Sequence, residues 1–295
     1  MSSPQNYLQT ILVTGANGQL GSELRKLSGE FQSYNFLFTT KEELPIENKE
    51  AIKSFFKKQK IHYCINCAAY TAVDKAETEK EKAFLINADA GGFLAAACND
   101  HNTRLVHIST DYVYNGNSTI PLKETDPVSP LNVYGLSKLK GEELVLNYCP
   151  SSFIIRTSWV YSEYGNNFVK TMLRLFKEKE SINVVNDQYG CPTYAADLAK
   201  VIMHCIARMK NGAEYSGIVN YSNEGVTTWY DFALAIKHFV KSDCKIFPVD
   251  TSQYKTLAKR PQYSVLDTSK IKEVAKIEIP FWKESLHECL KILMG

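Results

Sequence analysis

No apolar run in the 295-residue chain approaches the ~18 residues that a membrane-spanning helix requires. The sequence also lacks an excess of either charge. Lys and Arg total 34 against 32 Asp and Glu, a net charge of +2, which removes the electrostatic reason to expect nucleic acid or an anionic membrane as partner. Its start, MSSPQNYLQT, has no basic stretch followed by an apolar one, so no secretory leader is expected. There is no internal repeat and no low-complexity linker. A single Cys-x-x-C is present, Cys64 to Cys67, with no second pair to complete a zinc tetrahedron. It lies in IHYCINCAAY, which reads as a buried strand. The 8 cysteines sit singly in apolar or mixed segments, where a thiol behaves as a small hydrophobe. We expect a reduced, cytoplasmic protein without a metal.

The chain does have an ordinary globular balance, with 44% apolar and 22% charged residues, and it is long enough to bury most of its unfolded surface without staples. Its first half alternates short apolar runs with longer helical patterns. TILVTGA, FLFTT, HYCINCAA, RLVHISTDYVY and SFIIRTSWVY read as strands; GQLGSELRKLSG, NKEAIKSFFKKQK, KEKAFLINADAGGFLAAACNDH and LNVYGLSKLKGEELVLNY read as helices. This alternation predicts right-handed βαβ crossovers, and hence an α/β fold with a doubly wound parallel sheet. After Trp159 the pattern loosens into helices separated by short extended pieces. We therefore expect a dinucleotide-binding domain over residues 1–158, segments near 182–222 returning to it, and a smaller, partly interleaved C-terminal substrate lobe over 159–295.

The sequence Gly15-Ala16-Asn17-Gly18-Gln19-Leu20-Gly21 follows a strand and opens a helix. In that setting glycines allow a tight turn and close backbone approach to a pyrophosphate, and the helix N-terminus offers free N–H groups. The fold is then of the Rossmann type. A site selective for NAD places a carboxylate on the ribose 2′-hydroxyl at the end of the second strand. Here Thr39 and Thr40 stand there, followed by Lys41, so NADPH is favoured and NADH remains possible, with Glu42 and Glu43 pulling against the preference.

Tyr134 and Lys138 are spaced i and i+4 in YGLSK, which puts them on one helix face. Ser129 and Pro130 are placed to cap and start that helix. A nearby ammonium stabilises a phenolate, so the pair suits proton donation to a carbonyl oxygen as hydride reaches the carbon. Ser109-Thr110-Asp111-Tyr112-Val113-Tyr114 ends a strand at the edge where open parallel sheets bind ligands. The Thr110 hydroxyl can hydrogen-bond the same carbonyl, and Asp111 a sugar hydroxyl.

Together these motifs resemble the extended short-chain dehydrogenase/reductases that act on sugar nucleotides. The resemblance runs through GANGQLG, NCAAYTAVDKAE, STDYVY, SPLNVYGLSKLKGE, RTSWVY, GNNFVKTML, NDQYGCPTY and RPQYSVLDTSK, nearly the whole chain. It implies reduction by NAD(P)H of the C4 ketone of a dTDP-4-dehydro-6-deoxy sugar, dTDP-4-dehydro-β-L-rhamnose, by a monomer or homodimer. It further implies Tyr134 as proton donor, with Lys138 and Thr110 as catalytic partners. By the same resemblance, Gly15, Asn17, Gly18, Gln19, Leu20 and Gly21 would form the cofactor cradle, with Thr40, Ala68, Ala69 and Tyr70 beside them. It implies Thr110, Asp111, Trp159, Asn167 (with its neighbour Asn166) and Arg260 as substrate contacts, Arg260 through the diphosphate.

The chain departs from this family at Thr40, where Asp is frequent, and at Pro45-Ile46, where Asp-Ile is common. Glu23 matches a glutamate that binds Mg2+ in some relatives. A 4,6-dehydratase is disfavoured because Thr110 is followed by Asp111-Tyr112 rather than Asp-Glu. A sugar-nucleotide epimerase retaining its cofactor, and a non-catalytic regulatory subunit of methionine adenosyltransferase, are the other readings.

Overall fold

The computed structural model describes residues 8–295. The beginning of the chain, on which the absence of a leader was expected, lies outside the described residues. The first half contains β1 (Gln9–Thr14), α1 (Gln19–Leu27), β2 (Tyr34–Thr39), α2 (Lys49–Lys58), β3 (Tyr63–Asn66), α3 (Val73–Ala76), α4 (Lys80–Phe84), α5 (Ala90–Asp100), β4 (Arg104–Thr110), α6 (Val133–Tyr148) and β5 (Phe153–Thr157). The second contains β6 (Val160–Tyr161), α7 (Phe168–Glu178), β7 (Ser181–Val185), β8 (Tyr189–Gly190), β9 (Thr193–Tyr194), α8 (Ala195–Lys210), β10 (Gly217–Asn220), β11 (Thr227–Thr228), α9 (Trp229–Val240), β12 (Lys245–Val249), α10 (Ser269–Ala275) and α11 (Trp282–Met294).

Six strands form a parallel sheet in the order β10-β5-β4-β3-β1-β2. The two-residue periodicity of a strand explains how it is covered on both faces. Ile11 and Val13 of β1, Ile65 of β3, Val106 of β4 and Phe153 and Ile155 of β5 belong to one core with α1 and α8. Leu12, Cys64, Leu105 and Ile154 point the other way, into a core with α2, α5 and α6. The Cys-x-x-C pair is divided by this geometry. Cys64 is buried in the second core, whereas Cys67 packs against the first.

The chain runs from β1 outward to β2, then crosses back to β3 on the other side of β1. This reversal leaves a crevice at the carboxyl ends of β1 and β3, the place where open α/β sheets bind ligands. From the later half, α8 packs on the first core and β10 extends the sheet. β7, expected near the returning segment, pairs instead with β12. A third core, built around Tyr161, Phe232, Trp282 and Leu286, is formed by the second half of the chain. No helix among the described residues is long and apolar enough to cross a membrane.

Candidate active site

The glycine loop leaves β1 at the reversal point. Gly15 has a φ of +66°, and a Cβ there would lie 2.6 Å from the Ala68 nitrogen. A side chain at Gly21 would meet the Gly15 carbonyl oxygen at 2.5 Å. The lack of a Cβ at both positions lets α1 and the end of β3 close around the loop. α1 begins at Gly18 without a side-chain cap, so its first N–H groups remain available to an anion. A cavity of about 350 Å³ is lined here by Gly15, Asn17, Gly18, Thr40, Ala68 and Ala69. It shares Gly18, Cys67 and Ala69 with a second cavity of about 630 Å³, which holds Gln19, Leu20, Thr110, Asp111, Tyr134, Lys138, Trp159 and Trp229. The two form one trough across the carboxyl edge of the sheet.

α6 delivers Tyr134 and Lys138 to this trough. Its cap is Asn132, not Ser129 with Pro130 as the sequence suggested. The Asn132 Oδ1 accepts from the Gly135 N–H at 2.8 Å, and the Glu77 carboxylate takes the Val133 N–H at 2.8 Å. Two of the orphan donors of the helix start are thereby satisfied by groups that also join segments distant in sequence. The Lys138 ammonium is buried and donates to the Ile108 carbonyl at 2.6 Å. Burial pulls it down to about 8, opposed by the Glu142 carboxylate one turn further along α6.

Tyr134 stands edge-on to Tyr112, with ring centroids 5.6 Å apart. Burial pushes its phenol up to about 12, with the Thr110 hydroxyl pulling the other way. The expected lowering by Lys138 is therefore corrected: the ammonium is directed at a backbone carbonyl, and desolvation dominates. Thr110 donates to Asp111 Oδ1 at 3.0 Å. Burial raises the Asp111 carboxyl to about 7, with the Ser264 and Thr110 hydroxyls opposing. A second layer supports these groups. Glu142 receives two hydrogen bonds from Arg156, at 2.9 and 2.7 Å, and one from Ser109.

Four other expected residues are placed differently. Gly21 lines neither cavity and acts through packing. The ring of Tyr70 packs with Ala76, Ala83 and Val133, outside the trough. Its backbone is held instead, its N–H and carbonyl both bonded to the Asn87 amide at 2.8 and 3.0 Å. Asn167 caps α7 and donates to Gln19 Oε1 at 2.9 Å; the exposed Asn166 is the one that borders the cavity. Arg260 makes a two-point ion pair with Asp74, at 3.2 and 2.7 Å, that joins the C-terminal segment to α3. Glu23 is buried beside Glu163, and that burial, followed by Glu163 itself, raises its carboxyl to about 8.

Asn87 and Trp229 were not singled out from the sequence. Asn87 sits in a π-helical turn, Leu85–Asp89, a device that turns one side chain out of the helical register. Trp229 stacks on Trp159 at 3.6 Å and closes one end of the trough. Only its place at the start of a helical pattern in the second lobe marked it in the sequence.

The chain matches the family model described as RmlD substrate binding domain over residues 9–294. It belongs to this family. It is similar to the dTDP-4-dehydrorhamnose reductase of Aggregatibacter actinomycetemcomitans, 42% identical over 283 residues, covering 94% of this chain and 96% of that one. The enzyme of the same name from Escherichia coli (strain K12) is 39% identical over 292 residues, covering 96% and 97%. Among solved structures, the dTDP-4-dehydrorhamnose reductase from Clostridium acetobutylicum superposes with a TM-score of 0.92 at 41% identity, covering 97% of this chain and all of that one. The Bacillus anthracis enzyme, in complex with NADP, has a TM-score of 0.91 at 38% identity, with 97% and 100% covered. Family membership agrees with the geometry, in which a phenol, a buried ammonium and a hydroxyl meet beside a glycine cradle.

Proposed function

We propose that the chain is an oxidoreductase acting on a CH–OH group, which reduces the C4 ketone of dTDP-4-dehydro-β-L-rhamnose to dTDP-L-rhamnose with NADPH. The observation that carries this reading is the placement of Tyr134, Lys138 and Thr110 in a cavity continuous with the glycine loop. The residues fit a dinucleotide: the loop is held tight by backbone packing that a Cβ at Gly15 or Gly21 would break, and α1 starts with uncapped donors. Gly18, Gln19 and Leu20 would hold the pyrophosphate, and Thr40, Ala68 and Ala69 the adenosine half. When bound, the cofactor supplies the hydride.

The chain supplies the proton and the orientation. A phenol keeps its proton at neutral pH, and burial makes that of Tyr134 harder still to remove. An alkoxide is more basic still, so the phenol yields its proton only as charge develops on the ketone oxygen. Thr110 orients that oxygen. The Lys138 ammonium, charged below about pH 8, lines the same cavity as Tyr134 and would offset the phenolate left behind and hold the nicotinamide ribose. Asp111 and Trp159 would contact the sugar and its nucleotide. NADPH is the favoured cofactor, with NADH also accepted, and the free cysteines support a cytoplasmic setting for a monomer or homodimer.

The test is loss of reduced-nicotinamide absorbance on adding dTDP-4-dehydro-β-L-rhamnose. Stoichiometric oxidation with formation of dTDP-L-rhamnose supports the reading. Absence of turnover with both NADPH and NADH, in protein that binds either one, would overturn it.

A further inference from the structure

The end of the trough that would take the adenosine half presents a cation to its ligand. Among the described residues, Lys41 is the only basic side chain lining the 350 Å³ cavity, and it is held in an ion pair with Glu47, Nζ to Oε1 at 3.0 Å. Glu47 is not a freely moving surface carboxylate. The side chains of Leu44 and Ile46 are buried in the core beneath it, and the Asn48 N–H bonds the Pro45 carbonyl at 2.9 Å. The short loop is thus anchored on both sides of Glu47, whose side chain is 24% exposed against 65% for Lys41. The backbone donor at the end of β2 is also taken: the Thr40 N–H bonds Glu43 Oε2 at 2.8 Å. A 2′-phosphate arriving at this corner meets a lysine already paired with an anchored carboxylate.

We propose that Glu47 sets cofactor selectivity by competing with the 2′-phosphate of NADPH for Lys41. Resting on the reductase reading above, this deepens it. Glu47 lowers the preference for NADPH over NADH, because NADH asks nothing of Lys41 and leaves the pair intact. It acts through Lys41, so its effect depends on that lysine being present.

The experiment is fluorescence titration of NADPH and NADH against the native chain, Glu47→Gln, Lys41→Gln and the double variant. Glu47→Gln is expected to tighten NADPH by about threefold to fivefold and leave NADH within twofold, the scale of an exposed ion pair. Lys41→Gln weakens NADPH alone. In the Lys41→Gln background, the Glu47 change has less than half its effect. An unchanged NADPH-to-NADH ratio in Glu47→Gln overturns the proposal, as does an equal Glu47 effect with and without Lys41, which would indicate direct repulsion of the phosphate. If the native chain binds neither dinucleotide, the reductase reading itself fails, a result separable from both.

Discussion

The two ends of the trough are built by opposite means. At the catalytic end, the titratable side chains are buried. Tyr134 is pushed up to about 12, Lys138 down to about 8 and Asp111 up to about 7, each chiefly by burial. At the adenosine end, Lys41 and its carboxylates lie near solvent and act through contacts such as the Lys41–Glu47 pair. Electrostatic interactions strengthen as the effective dielectric falls, and salt screens exposed pairs far more than buried ones. On the proposed reading, the first end governs whether reaction occurs, and the second only which cofactor is preferred. Substitutions should divide along that line.

The sharpest break is Tyr134→Phe. It removes one hydroxyl and leaves the ring that packs against Tyr112. Loss of a general acid costs about 10²–10⁴ in rate, and a loss within that range is expected. Cofactor affinity should stay within twofold by fluorescence titration. Near-native turnover would move the proton donor elsewhere.

Next in size is the support beneath the site. Glu142→Gln leaves the buried Arg156 guanidinium without its carboxylate, at the cost of about 3–5 kcal/mol expected for breaking a buried pair. Urea denaturation measures it. A loss below about 1 kcal/mol would show that water reaches the pair as it does a surface one.

The pH dependence follows with a smaller effect. The folded-state value of Lys138 lies below its ordinary 10.5, at about 8. Its charged form is therefore disfavoured by folding. That cost is present below pH 8 and is relieved as the pH rises from 8 to 10.5, so this group stabilises the fold across that window relative to lower pH. Activity should move the opposite way: kcat/KM falls above about pH 8 as the ammonium is lost, while the chain remains folded by circular dichroism. A rate constant up to pH 10 would remove Lys138 charge from the mechanism.

What the sequence disclosed has a common physical character: it is local. Strand and helix periodicity, the glycine turn at Gly15–Gly21 and the one-turn spacing of Tyr134 and Lys138 all act within a few residues, and the trough assembles from them. The readings that changed involve partners far away in the chain. The α6 cap passes to Asn132, which also donates to the Lys259 carbonyl, 127 residues on. Arg260 finds Asp74 at a separation of 186 residues. The Lys138 ammonium is taken by a strand carbonyl rather than by its helix neighbour. Trp229 reaches the trough only because the second lobe folds back over it. A spacing rule names the donor, but three-dimensional packing chooses the acceptor.

Thr40→Asp is the gentlest of these tests and belongs to the exposed end. A carboxylate at the end of β2 offers the ribose 2′-hydroxyl an acceptor and repels a 2′-phosphate. Screening by solvent keeps the effect modest: the NADPH-to-NADH affinity ratio should fall by about threefold to tenfold, with kcat on either cofactor within twofold. The change ought to shrink further in high salt, since the repulsion acts between groups that water and ions reach. The same substitution would alter kcat if the adenosine end communicated with the proton donor. An altered kcat at saturating cofactor would therefore show that the two ends are coupled through the loop at Gly15–Gly18, rather than joined only by the molecule that spans them.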